Sequence, residues 1–253
     1  MSRRLPSLSG AGQRMAVKVT GALLVVAGAG SIGVAAASQH HAPQPGRAQA
    51  GTVSPSTTVP RRALDPRSVS APASSSVAAS ETTVHGPVLA RSVPVSISIP
   101  SIGVHSSVFQ VGLNPDGTIQ VPPLSQSPLT NEAAWYKYSP TPGQPGPAIV
   151  EGHIDSAAQG PSVFYRLGAL RPGDVIDVGL QDGVEAVFKV SGVREYRKSA
   201  FPTATVYGNA DYAGLRLVTC GGSFDSATGH YLSNTVVYAS LVGSDPAGSA
   251  RTP

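Results

Sequence analysis

The chain has a single cysteine, a single tryptophan and two methionines in 253 residues, and only 13% of those residues are charged. One thiol excludes an internal disulfide framework and any Cys-x-x-Cys redox pair. One cysteine with scattered histidines lacks the spacing of a zinc site, and Glu151, Asp155 and Asp225 lack that of a calcium loop. No metal and no cofactor is expected. The phrase Gly112-x-x-x-x-Gly117-Thr118 lacks the lysine of a phosphate-binding loop, and no internal repeat or heptad pattern is present. The net charge is +4, and much of it lies in Arg3, Arg4, Arg14, Lys18, Arg47, Arg61, Arg62 and Arg67. No basic stripe interleaved with aromatics follows, so no nucleic-acid partner is expected.

Aromatics are absent from the first 90 residues, and all five Phe, the Trp and the eight Tyr lie beyond Val93. The composition thus divides the chain. Residues 1–18 are basic. Residues 19–37 are uncharged, and as a helix they would be about 28 Å long, near the thickness of a bilayer core. The basic flank predicts a cytoplasmic N-terminus and translocation of the rest. Two readings compete: a single-pass signal anchor, or a signal peptide cleaved near Ala35-Ala36-Ala37. The length of the run favours the anchor. Residues 38–91 are rich in Pro and Ser and poor in large apolar side chains, which predicts a disordered spacer. One folded domain is expected over 92–243, followed by a disordered tail over 244–253.

Within that domain the pattern is of short strands broken by Gly, Pro and Asp turns. Strands are predicted over 93–99, 118–121, 147–153, 215–220 and 234–242, with a hairpin of 174–180 and 184–193 about the Asp182-Gly183 turn. Helical patterns are confined to 130–136 and 162–170. This is a mainly β domain, a barrel or a sandwich with short helices.

The cysteine lies in Leu215-Arg216-Leu217-Val218-Thr219-Cys220-Gly221-Gly222, where a buried strand gives way to a glycine pair. That position presents a side chain on a rigid support. An odd cysteine in an exported protein is a free reactive group or half of an intermolecular bridge; a small buried apolar filler is the other reading. A nucleophilic thiol needs a neighbour to make it thiolate, most often a histidine. Of His105, His153 and His230, His153 repeats the design of Cys220: it follows Gly152 at the end of the strand Ile149-Val150-Glu151.

Val218-Thr219-Cys220, preceded some 67 residues earlier by Gly152-His153, resembles the sortase family of cell-surface transpeptidases. Trp135-Tyr136 before Pro142-Gly143, Phe164-Tyr165-Arg166-Leu167 with Pro172-Gly173-Asp174, and Cys220-Gly221-Gly222 through Gly229-His230-Tyr231 to Val236-Val237-Tyr238-Ala239 are similar to the class E/F sortases of Gram-positive actinobacteria. The resemblance implies a closed eight-stranded β-barrel, acting as a monomer on the outer side of the cell membrane. Cys220 would attack the Thr–Gly bond of a C-terminal sorting signal of the LPXTG type on a surface protein. A cell-wall amine would then resolve the thioester. His153 would act as general acid and then general base. The family also uses an arginine on the strand after the cysteine loop; here that strand has Asn234 at the approximate position. Thr219 and Asn234 are the expected substrate contacts. Arg216 is the substitute arginine on physical grounds: it precedes Cys220 by four residues, and even separations on a strand share a face. A hydrolytic cysteine peptidase and an idle binding module on the same barrel are the alternatives.

Overall fold

The computed structural model describes residues 42–46, 83–124 and 129–246. Among these described residues ten strands and one short α-helix are formed, in chain order: β1 (Pro94–Ile99), β2 (Val104–Val111), β3 (Ala133–Tyr136), β4 (Gly146–Glu151), β5 (Asp155–Ser156), β6 (Gly160–Pro161), β7 (Val175–Leu180), β8 (Val184–Arg197), α1 (Thr203–Tyr207), β9 (Ala213–Asp225) and β10 (His230–Pro246). Eight of them close a barrel in the order β1-β2-β3-β4-β9-β10-β8-β7, and β5 and β6 form a separate small ribbon. The β2–β3 and β4–β9 pairs are parallel, and the other barrel pairs are antiparallel. The closed eight-stranded barrel that the resemblance implies is therefore the fold.

Strand alternation sorts side chains between two apolar clusters. The barrel interior holds Ile97, Trp135, Val150, Phe164, Phe188, Leu217 and Val237 among others. Each large apolar side chain so buried contributes on the order of 1.5–3 kcal/mol. Ile149, Val218, Val236 and Tyr238 are one residue out of phase, so they point outward, where Val206 of α1 packs on them with Tyr196, Phe201 and Tyr207 at the edge. The five residues of α1, Thr-Ala-Thr-Val-Tyr, are too few and too β-branched to hold a helix by propensity. Burial of Val206 in the outer cluster anchors it.

Several boundaries differ from the sequence expectation. The segment predicted as helical over 130–136 is a 3-10 turn, Leu129–Asn131, followed by β3. Of 162–170 only Leu167–Ala169 is helical, as a 3-10 turn. Residues 118–121 form no strand: Ile119 makes an isolated bridge to Leu113. The glycine pair after Cys220 does not end β9. Gly221 pairs with Ser233 and Phe224 with Tyr231, so two residues of β9 oppose Leu232 in a bulge. Gly222 supplies its positive φ of 73°. At the C-terminus Ser244, Asp245 and Pro246 pair with β8, so the strand consumes the start of the expected tail. The expected spacer also enters the fold in part. His85 N–H donates to Asp211 O, Leu89 N–H donates to Gly143 O, and Ala42 is buried. The predicted anchor at 19–37 lies outside the described residues, among which no helix is long and apolar enough to cross a membrane.

Candidate active site

Cys220 lies on β9 beside β4 and β10. Its own partner across the β9–β10 ladder is Asn234. Residues directly opposite in such a pair have Cβ atoms about 5 Å apart, on the same face. On the other side, β4 and β9 run parallel with Gly146 level with Ala213 and Glu151 level with Val218. Gly152 N–H continues the ladder by donating to Val218 O at 3.2 Å. That register places His153 level with Cys220, one strand spacing away. Strand order and register thus bring Cys220, His153 and Asn234 to one end of one face.

Packing fixes the approach of His153. A Cβ on Gly152 would lie 2.6 Å from the Phe164 ring and 2.7 Å from Val163, so only glycine lets the chain pass there. The imidazole is then oriented: Nε2–H donates to the Pro122 carbonyl at 2.6 Å. A neutral ring held this way keeps Nδ1 as its basic nitrogen. Two residues on, Asp155 accepts a hydrogen bond from Tyr231 Oη at 2.5 Å, tying the His153 loop to the start of β10. The Tyr231 phenol is pushed up from its ordinary value by burial first, then by this bond, then by the charge of the Asp155 carboxylate. It therefore remains a neutral hydrogen-bond donor at the rim.

Sequence reading misses a cation. Lys198, in the 3-10 turn Lys198–Ala200 after β8, places Nζ 3.5 Å from Cys220 Sγ. A cation beside a sulfur is one arrangement in which reactive thiolates occur. The signal in the sequence is faint: Arg194, Tyr196 and Lys198 alternate along one face, but only the barrel reveals that this face reaches over β10 to Cys220.

Arg216 is not brought to the cysteine. It shares the outer face with Cys220, as the alternation implies, but four residues of strand separate their Cα atoms by about 13 Å. The residue is buried, 4% exposed. Nη2 donates to Tyr212 Oη at 3.0 Å and Nη1 to Leu215 O at 3.2 Å. The group stacks over Tyr238, 4.6 Å from the ring centroid. It is a packed arginine at the centre of the barrel wall.

Thr219 is also turned away. It shares the parity of Leu215 and Leu217, faces the barrel interior, and is 4% exposed. Its Oγ1 finds no hydrogen-bond partner among the described residues. His105 pairs with Ser98 at 3.1 Å on the β1–β2 ladder, away from β9. His230 begins β10 opposite Asp225 rather than sitting in a free loop.

Glu151 is the remaining acid on this face, two residues before His153 and level with Val218. Burial pushes its carboxyl up to about 7.

A family model described as the sortase domain matches residues 97–242, more than half of the chain. No curated protein sequence matches. Solved structures do. Sortase A from Listeria monocytogenes aligns with 19% identity over 62% of this chain and 92% of that chain, with a TM-score of 0.45. The SrtA sortase from Actinomyces oris aligns with 18% identity over 67% and 92%, TM-score 0.46. Sortase C-1 from the same organism aligns with 20% identity over 59% and 75%, TM-score 0.45. The matched residues contain the whole of the Cys220, His153 and Asn234 constellation, and the chain belongs to the sortase family.

Proposed function

We propose that this protein is a cysteine transpeptidase of the class E/F type that cleaves an LPXTG-like sorting signal and joins the released acyl group to a cell-wall amine. The observation that carries the reading is the parallel β4–β9 register, which sets His153 level with Cys220 while Asn234 stands opposite on β10. The Cys220 thiolate attacks the threonyl carbonyl carbon, and the C–S bond forms as the carbonyl π electrons move to oxygen. Collapse of that oxyanion expels the glycyl amine, which takes a proton from the His153 imidazolium. The incoming amine attacks the thioester, returns a proton to His153 and releases the thiolate. Charge on the oxyanion falls within reach of donors from this end of the face, and the Asn234 amide and the Lys198 ammonium are the groups offered there.

In this reading the anchor over 19–37 holds a monomeric domain outside the membrane, facing the wall. The motif from Cys220-Gly221-Gly222 through His230-Tyr231 to Tyr238 supports the class. The test is incubation with a small panel of sorting-motif peptides with and without an amine, read by mass. Cleavage with ligation is expected. Cleavage to the acid alone, even with amine in excess, makes the protein a hydrolase; no cleavage of any peptide overturns the reading.

A further inference from the structure

Pro122-Pro123-Leu124 lies between β2 and β3, and two of its three residues have no N–H, so the segment meets its surroundings mainly through carbonyls. Each of the three carbonyls is engaged. Pro122 O accepts from His153 Nε2–H at 2.6 Å. Pro123 O and Leu124 O lie 3.0 Å and 3.2 Å from Thr130 Oγ1, which shares its one proton between them. Pro122 is buried, and Thr130 is 1% exposed. The proline rings fix φ at two successive residues, so a hydroxyl that locates the carbonyls of Pro123 and Leu124 also locates that of Pro122.

The same turn holds the chain that carries the imidazole. Ser162 Oγ lies 3.1 Å from Thr130 O and 2.9 Å from Asn131 Oδ1. From there Ser162 N–H donates to Ile154 O at 2.9 Å, and Phe164 N–H donates to His153 O at 3.0 Å. Backbone and ring of His153 are thus tied to one point, the 3-10 turn Leu129–Asn131: the backbone through Ser162, the ring through Thr130 and Pro122. The tie to the ring decides a chemical state as well as a position. A carbonyl only accepts, so the neutral imidazole beside it carries its proton on Nε2 and keeps Nδ1 as the base. A ring released from Pro122 O loses that selection, since either nitrogen of a neutral imidazole can carry the proton.

We propose that Thr130 is a positioning residue for His153, holding the Pro122 carbonyl where it keeps the imidazole as the Nε2–H tautomer with Nδ1 as the nitrogen that transfers protons. The effect on turnover rests on the transpeptidase reading; the tautomer does not. The hydroxyl serves the proton-transfer step rather than substrate binding, so its loss lowers kcat and leaves KM unchanged.

Imidazole nitrogen NMR spectra of the full chain at alkaline pH read the tautomer without any substrate, with the His153 signals identified by their loss in His153→Gln. The parent is expected to show a protonated Nε2 and an unprotonated Nδ1; the reverse overturns the proposal whatever the variants do. Thr130→Val keeps the side-chain shape and removes the hydroxyl. It is expected to move both His153 nitrogens toward tautomer-averaged shifts and to lower kcat for a sorting peptide roughly ten- to a hundredfold at unchanged KM. Thr130→Ser keeps the hydroxyl and is expected to keep the parent tautomer and kcat. Should Thr130→Val not fold, Thr130→Ala is read by the same criteria. A lower melting temperature in Thr130→Val with the parent tautomer makes Thr130 a purely structural residue and overturns the proposal, as does a kcat loss of equal size in Thr130→Ser. An averaged tautomer with kcat unchanged overturns the link to proton transfer. An averaged tautomer in Thr130→Val, with no peptide cleaved by any form, upholds the positioning and sinks the transpeptidase reading.

Discussion

Two regions of strand β9, around Arg216 and around Cys220 four residues on, share a face, yet what packs over them differs. At Arg216 the face is sealed: Tyr212 and Tyr238 flank the guanidinium, and the apolar cluster beneath α1 adjoins it. At Cys220 that cover has ended; the cysteine is half-buried, and an imidazole strand-end, an amide and an ammonium surround it. A charged side chain and the proposed nucleophile of the same strand are separated by what packs over them. In the proposed reaction the chemistry sits where the outer cluster stops.

This contrast can be broken from either side. The largest effect is expected at the open end: Cys220→Ala abolishes peptide cleavage while the thermal transition of the barrel is kept. His153→Ala lowers kcat/KM by about 10²–10⁴, the usual weight of a general acid–base group, measured by peptide cleavage. Next comes Glu151, between the two regions. Its folded value of about 7 is above its ordinary 4.5, so the folded state holds the proton more tightly. The associated stabilisation is complete below pH 4.5 and is lost as pH rises through 7. It amounts to roughly 3 kcal/mol. Denaturant melts at about pH 5 and pH 8 should show that difference, and Glu151→Gln should flatten it. At the sealed end, Arg216→Met is expected to lower stability by about 2 kcal/mol through the lost stacking and hydrogen bonds, with kcat preserved. A kcat collapse in a folded Arg216→Met would return the arginine role to that residue. The smallest effect is expected from Lys198→Ala. The side chain is exposed, and Cys220 alkylation should slow by roughly two- to fivefold, the scale of a surface charge pair.

The elements legible in the sequence are those with clean alternation: Leu215, Leu217 and Val237 against Val218 and Val236 define two faces by parity alone. Cys220 and His153 stand out because each ends such a run near glycine. The β2 strand escapes this reading because Val104, Val108 and Val111 are its buried residues, a spacing without period two. The β3 strand looks helical because Ala133, Ala134 and Trp135 are all buried, between β2 and β4 in the wall. Such a run lacks alternation. Parity correctly puts Arg216 on the cysteine's face, but it says nothing about where a long side chain turns; Tyr212 and Tyr238 decide that. Lys198 and Tyr231 reach the site across neighbouring strands, and Gln44, which accepts from Gly222 N–H, comes from a segment that composition assigns to the spacer. None of these contacts has a local signature.

The most direct test of the central claim is trapping of the acyl-enzyme. The full chain is mixed with a sorting-motif peptide without amine, quenched in acid and digested, and the modified residue is located by mass. The expected result is a thioester on Cys220 that disappears when amine is added. An adduct on any other residue, or cleavage at an undiminished rate by Cys220→Ala, would contradict it.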